Sequence, residues 1–206
     1  MIRISVRDKH TQEWVNERLR EGEDYGGYSY YNDLSKEKIL KDVYKTIQNA
    51  ANTALKNFKK SIKLYTDIEV KYSKTIQNNA VAMYIGDTST NVPIILIGVD
   101  SILKYLKKDA KKWAMDDSPE GIHRHIEQEL YPSIMISLYH ELGHAMVDEI
   151  KQWFRAENNE DLEYDNEESL VEDFAREFYD DGSITPDMQK VIKEIKIIRK
   201  GGRIEV

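Results

Sequence analysis

The stretch SIMISLYHELGHAMVDEIKQWF, residues 133–154, repeats apolar side chains at three- and four-residue steps through Ile134, Met135, Leu138, Leu142, Ala145, Met146 and Ile150. That spacing predicts a helix, and its apolar density predicts that much of the helix is buried. Tyr131-Pro132-Ser133 opens it, and it ends near Arg155. Inside stands His140-Glu141-Leu142-Gly143-His144. Residues four apart share a helix face, so the two imidazoles project toward one point, and both are neutral nitrogen donors of the kind zinc accepts. Glu141 sits about 100° further round the helix, where it can reach a metal-bound water without itself ligating. Leu138, Tyr139, Leu142, Ala145 and Met146 flank the motif without a charge, as suits a buried helix.

Outward from this helix the pattern alternates between helical and extended segments. From Ser35, its cap, a long amphipathic helix runs through Ile39, Val43, Ile47, Ala51, Ala54, Phe58 and Ile62. Ile68, Val70 and Tyr72 alternate with polar residues, and NAVAMYI (79–85) and VPIILIGV (92–99) follow, which together predict a three-stranded sheet. Short helices follow Asp100 and Ser118-Pro119. Gly143, in a helix interior where glycine costs about 1 kcal/mol against alanine, predicts close approach of another backbone, and the sheet is the expected neighbour. Beyond the acidic segment 157–168, Leu170, Val171, Phe174, Ala175 and Phe178 mark a helix from about Asn166 to Tyr179. A last helix, Asp187 to about Arg199, is capped by Thr185 and is expected to dock onto the core or a partner through Val191, Ile192, Ile195, Ile197 and Ile198.

Residues 1–34 read as a flexible arm or linker: a short polar helix over Thr11–Arg20, then the tyrosine-rich GEDYGGYSYYND. The expected organisation is thus an arm (1–34), one α+β domain (35–182) and a helical tail (183–206). A length of 206 residues fits one domain, and 40% apolar with 10% aromatic residues suffices for a packed interior. The net charge of −7 and the lack of a dense basic block argue against nucleic acid as the main ligand. The absence of cysteine excludes thiolate metal sites and thiol nucleophiles, so a metal must sit on histidine and carboxylate. The N-terminus lacks an apolar signal run, and no segment has the ~18 apolar residues of a membrane span, so the expected location is the cytoplasm.

A catalytic zinc needs a third protein ligand and an open fourth position. Glu168 lies 24 residues past His144 in the next helix and offers that ligand, with Glu167 and Asp173 as rivals. Glu172, one turn on, could accept from the far ring nitrogen of a ligating histidine. HELGH followed at this distance by ExxxE and Phe-Ala resembles the gluzincin metallopeptidases, in particular the small ImmA/IrrE-like enzymes, over roughly residues 35–179. The resemblance implies a zincin-like minimal core of long helix, small sheet, HExxH helix and glutamate helix. It implies that His140, His144 and Glu168 bind zinc and that Glu141 is the general base. The chain departs from that pattern at Val171, where Ala is usual, and at Glu172, where Asn or Asp is frequent. The metzincin pattern fails, since Val147 and Ile150 stand where it needs Gly and a third His.

These readings predict a zinc metallopeptidase acting on a protein or peptide substrate, and the resemblance implies limited cleavage of that substrate. VPIILIGV is the best candidate edge strand for holding an extended peptide, and its apolar character equally fits a covered central strand. Tyr179, Arg176, Tyr164 and His123 are unranked candidates for stabilising an oxyanion. His123 and His125 read as surface residues, and the carboxylates of 157–168 as a solvated loop or a negative rim. The alternative is an inactive metal-binding or interaction module on the same fold.

Overall fold

A computed structural model of the chain describes residues 2–4, 36–64, 67–73, 76, 80–86, 92–113 and 118–201. The expected helix at Thr11–Arg20, the tyrosine-rich segment, the Ser35 cap and residues 202–206 lie outside the described residues. The architecture is α+β and mostly helical. In chain order it comprises β1 (Ile2–Ile4), α1 (Lys36–Ser61), β2 (Ile68–Ser73), β3 (Ala82–Ile85), β4 (Ile94–Gly98), α2 (Val99–Trp113), α3 (Pro119–Asn158), α4 (Glu167–Asp180) and α5 (Pro186–Ile198).

The sheet has the order β1-β2-β4-β3, with β1, β2 and β4 parallel and β3 antiparallel to β4. Its fourth strand comes from Ile2–Ile4, within the segment read as an arm, in register with Ile68–Val70. Ile68, Val70, Ile95 and Ile97 form one buried face, while Glu69 and Lys71 pair on the other at 2.8 Å. This is the period-2 alternation of a sheet covered on one side. Tyr44 of α1 meets Tyr72 of β2 with ring centroids 5.7 Å apart, tying the long helix to that face.

Of the two places that fit VPIILIGV, an edge for peptide binding and a covered centre, β4 takes the second: β2 and β3 flank it, and its continuous apolar run reflects that position. The edge beside α3 is β3. Residues 119–158 also differ from expectation. The two helices expected there form one helix of 40 residues that passes through Pro132. Pro132 sacrifices one backbone bond to the preceding turn. Burial of Ile126, Leu130, Ile134 and Leu138 on both sides of it keeps the axis continuous. Ser118 caps the start, accepting from Gly121 N at 3.1 Å, and Asn159 closes the end at φ 55°.

An aromatic cluster holds α4 against α1 and α3. Tyr139 meets Phe178 edge-on at 4.8 Å, and Phe58 meets Phe174 and Phe178 at 6.5 and 6.3 Å. Such pairs contribute about 0.5–1.5 kcal/mol each beyond their burial. They fix how α4 is rotated, and hence which carboxylates of its first turn face α3. Helix α5 buries Met188, Val191 and Ile195, and Thr185 caps it by accepting from Met188 N. Among the described residues no helix is long and apolar enough to cross a membrane.

Candidate metal centre

The helical spacing of His140 and His144 brings their Nε2 atoms to 3.2 Å, with ring centroids 4.8 Å apart. Glu168, in the first turn of α4 where the helix dipole favours a carboxylate, reaches across to both. One of its oxygens lies 3.4 Å from His140 Nε2, and the other 3.3 Å from His144 Nε2. The histidine side chains are 20% and 17% exposed and Glu168 is 81% exposed, so the cluster is rooted in the core and opens to solvent on its carboxylate side. Donor atoms of the three residues lie within 4.8 Å of one another, and together they could hold a metal ion.

Each ring is also met from behind. Glu172 Oε2 lies 3.4 Å from His140 Nδ1, as its place one turn after Glu168 predicts. Glu167, a rival for the ligand position, instead pairs with His144 Nδ1 at 2.7 Å, and Asp173 is exposed. The His144 bond, with Lys151 adding to it, holds the Glu167 carboxyl down at about 2 despite partial burial. Burial opposes a charge on His144, yet the Glu167 bond and the charges of Glu141, Glu168 and Glu167 outweigh it, and the imidazole pKa is raised.

Glu141 is tied to the sheet. Its Oε2 accepts the Tyr84 backbone N–H at 2.7 Å, so the edge strand β3 runs directly beside the histidine pair. Burial raises the Glu141 pKa, against the lowering effect of that N–H and of both histidines. The Tyr84 hydroxyl donates to Asp148 Oδ2 at 2.7 Å, and Gln152 donates to the same oxygen. Gly86 follows so closely that a Cβ there would lie 2.7 Å from Asp148 Oδ2. Tyr84→Phe is expected to cost about 1 kcal/mol in urea denaturation by removing one partner of a half-buried carboxylate. An unchanged midpoint would mean that this bond does not hold β3 to α3.

Gly143 does permit a close approach, but the neighbours are side chains of α4 and neither a backbone nor the sheet. A Cβ on it would lie 2.9 Å from Val171 Cγ1. Among the oxyanion candidates, Arg176 pairs with Glu172 and the Tyr164 hydroxyl with Glu194, while the His123 side chain lies outside the described residues. His125 is a structural link between α3 and α2, pairing with Asp109 at 2.9 Å.

Tyr84, Asp148 and Lys151 carry contacts that the sequence reading missed. Asp148 and Lys151 lie seven residues after Glu141 and His144, two turns along the same faces, so spacing could have found them. Tyr84 depends on strand register and left no such signal. The chain matches no protein-family model, no curated protein and no solved structure, and its functional reading rests on these residues.

Proposed function

We propose that the chain is a zinc-dependent metallopeptidase of the gluzincin type, with a zincin-like core, that makes limited cuts in a protein substrate. The observation that carries this reading is the convergence of His140, His144 and Glu168: the two Nε2 atoms stand 3.2 Å apart, Glu168 sets one oxygen 3.4 Å from His140 Nε2 and the other 3.3 Å from His144 Nε2, and one donor atom from each residue lies within 4.8 Å of the others. Ligands about 2.0–2.1 Å from a tetrahedral zinc stand about 3.3 Å apart along the tetrahedron's edges, close to the 3.2 Å between the two Nε2 atoms. Two imidazoles and one carboxylate leave a fourth position open, as catalysis requires. A zinc ion held there would polarise a peptide carbonyl and lower the pKa of a bound water.

The chain's own residues supply the rest. Glu141 is oriented by the Tyr84 N–H through Oε2, and among the described residues this leaves Oε1 to take a proton from water and return it to the leaving amine. Its burial-raised pKa suits a group that must hold the proton between those steps. Val81 O accepts from Gly98 N of β4, and Tyr84 N donates away from β4 to Glu141. By that alternation residues 82, 84 and 86 direct their backbone groups outward. A peptide added along β3 would therefore lie beside Glu141.

Metal analysis after purification without chelators tests the reading, and about one zinc per chain is expected. Incubation with a proteome-derived peptide library, read by mass spectrometry of new termini, is expected to reveal zinc-dependent cleavage. If the chain takes up no zinc even when the ion is supplied, the proposal fails.

A further inference from the structure

The two histidines are braced unequally. Behind His144, Glu167 divides its oxygens: Oε1 pairs with the ring at 2.7 Å, and Oε2 accepts from Lys151 Nζ at 2.5 Å. Behind His140, Glu172 stands off at 3.4 Å, and its other oxygen is taken by Arg176. Lys151 and Glu167 are 32% and 21% exposed, against 68% and 44% for Arg176 and Glu172. The His144 brace is therefore shorter and better shielded from water, and its ion pair is screened less.

Lys151 also answers a problem of identity. Glu167 and Glu168 are adjacent in the first turn of α4, and both reach α3. An unrestrained Glu167 could swing onto a cation and compete with Glu168. Holding one oxygen on an ammonium and the other on the Nδ1 side of His144 removes that freedom. It also fixes the His144 ring so that Nε2 is presented to the shared point. Lys151 lies on α3 itself, two turns past His144, so brace and ligand share one rigid element.

We propose that Lys151 is a positioning residue for the metal, which through Glu167 selects Glu168 as the third ligand and orients His144. This rests on the zinc reading above. The test is zinc affinity of the full chain by chelator competition, alongside thermal unfolding of the metal-free protein. Lys151→Met is expected to weaken zinc about tenfold, the lower end for groups behind a ligand, whereas Arg176→Met leaves it nearly unchanged. Lys151→Arg should restore most of the affinity. Glu167→Gln should itself weaken zinc, and adding Lys151→Met to it should cost little more, because one relay cannot be broken twice. Histidine ring 15N shifts of the metal-free Lys151→Met chain should show a changed tautomer balance at His144 and not at His140.

Wild-type affinity in Lys151→Met, or additive losses in the double variant, overturns this proposal and leaves the zinc reading standing. A wild-type chain that binds no zinc overturns both. If Lys151→Met fails to fold, the Glu167→Gln affinity and the Lys151→Arg ring shifts decide.

Discussion

Glu141→Gln is expected to keep its zinc and lose peptide hydrolysis by about a thousandfold, within the range of about 10²–10⁴ for a missing general base. His144→Ala is expected to lose both. Glutamine has the shape of glutamate, and its amide oxygen can still accept the Tyr84 N–H, so the 2.7 Å link between α3 and the edge strand survives. What goes is the capacity to take and return a proton. His144, by contrast, would supply one of the three donors gathered there among the described residues, and its removal leaves Glu167 and Lys151 braced against an empty space. Metal content after dialysis and kcat on a cleaved peptide separate the two outcomes. A Glu141→Gln chain that turns over at the parent rate, or that loses its zinc, would sink the assignment of Glu141 as base.

The parts of this site legible in sequence are those set by helical spacing alone. His140 and His144 need only the 3.6-residue repeat to share a face, and the repeat is unmistakable from Ile134 to Ile150. Glu172 follows from Glu168 by the same rule. The choice between Glu167 and Glu168 was not legible, because adjacent helix positions differ by about 100° and only the rotation of α4 decides which faces the histidines. That rotation is set by Phe58, Tyr139, Phe174 and Phe178, residues from three helices far apart in sequence. The sheet shows the same division. Each strand could be recognised by its own alternation, but the interior place of β4 and the edge place of β3 depend on pairings between strands, as does the contact of Tyr84 with Glu141. Pro132 misled for a local reason: proline favours a first turn, and nothing nearby in sequence records that burial on both sides would carry the helix through it.

Gly143→Ala is expected to destabilise the metal-free chain by about 2 kcal/mol and to weaken zinc binding as well. Two opposed effects set that figure. Alanine in place of a helix-interior glycine gains about 1 kcal/mol in propensity. Against it, the new methyl would lie 2.9 Å from Val171 Cγ1, 3.0 Å from Val171 Cβ and 3.4 Å from Phe174 Cδ1. Val171 and Phe174 are fully buried. Val171 is β-branched and stiff at χ1 within its helix, and Phe174 is locked by Phe58 and Phe178, so neither side chain can turn aside. The overlap must be relieved by moving α4, and overpacking of this kind costs about 3 kcal/mol at the upper end of its usual range, which outweighs the propensity gain. Because α4 carries Glu167, Glu168 and Glu172, the same displacement draws all three carboxylates away from the histidines. Truncating the other side of the contact should then rescue the variant: Gly143→Ala with Val171→Ala is expected to regain most of the stability and the zinc affinity. Urea denaturation of the chelated protein and zinc competition read the two quantities separately. Parent-like values for Gly143→Ala alone would mean that α3 and α4 do not meet closely at Gly143, and that something other than this contact sets their spacing at the metal centre.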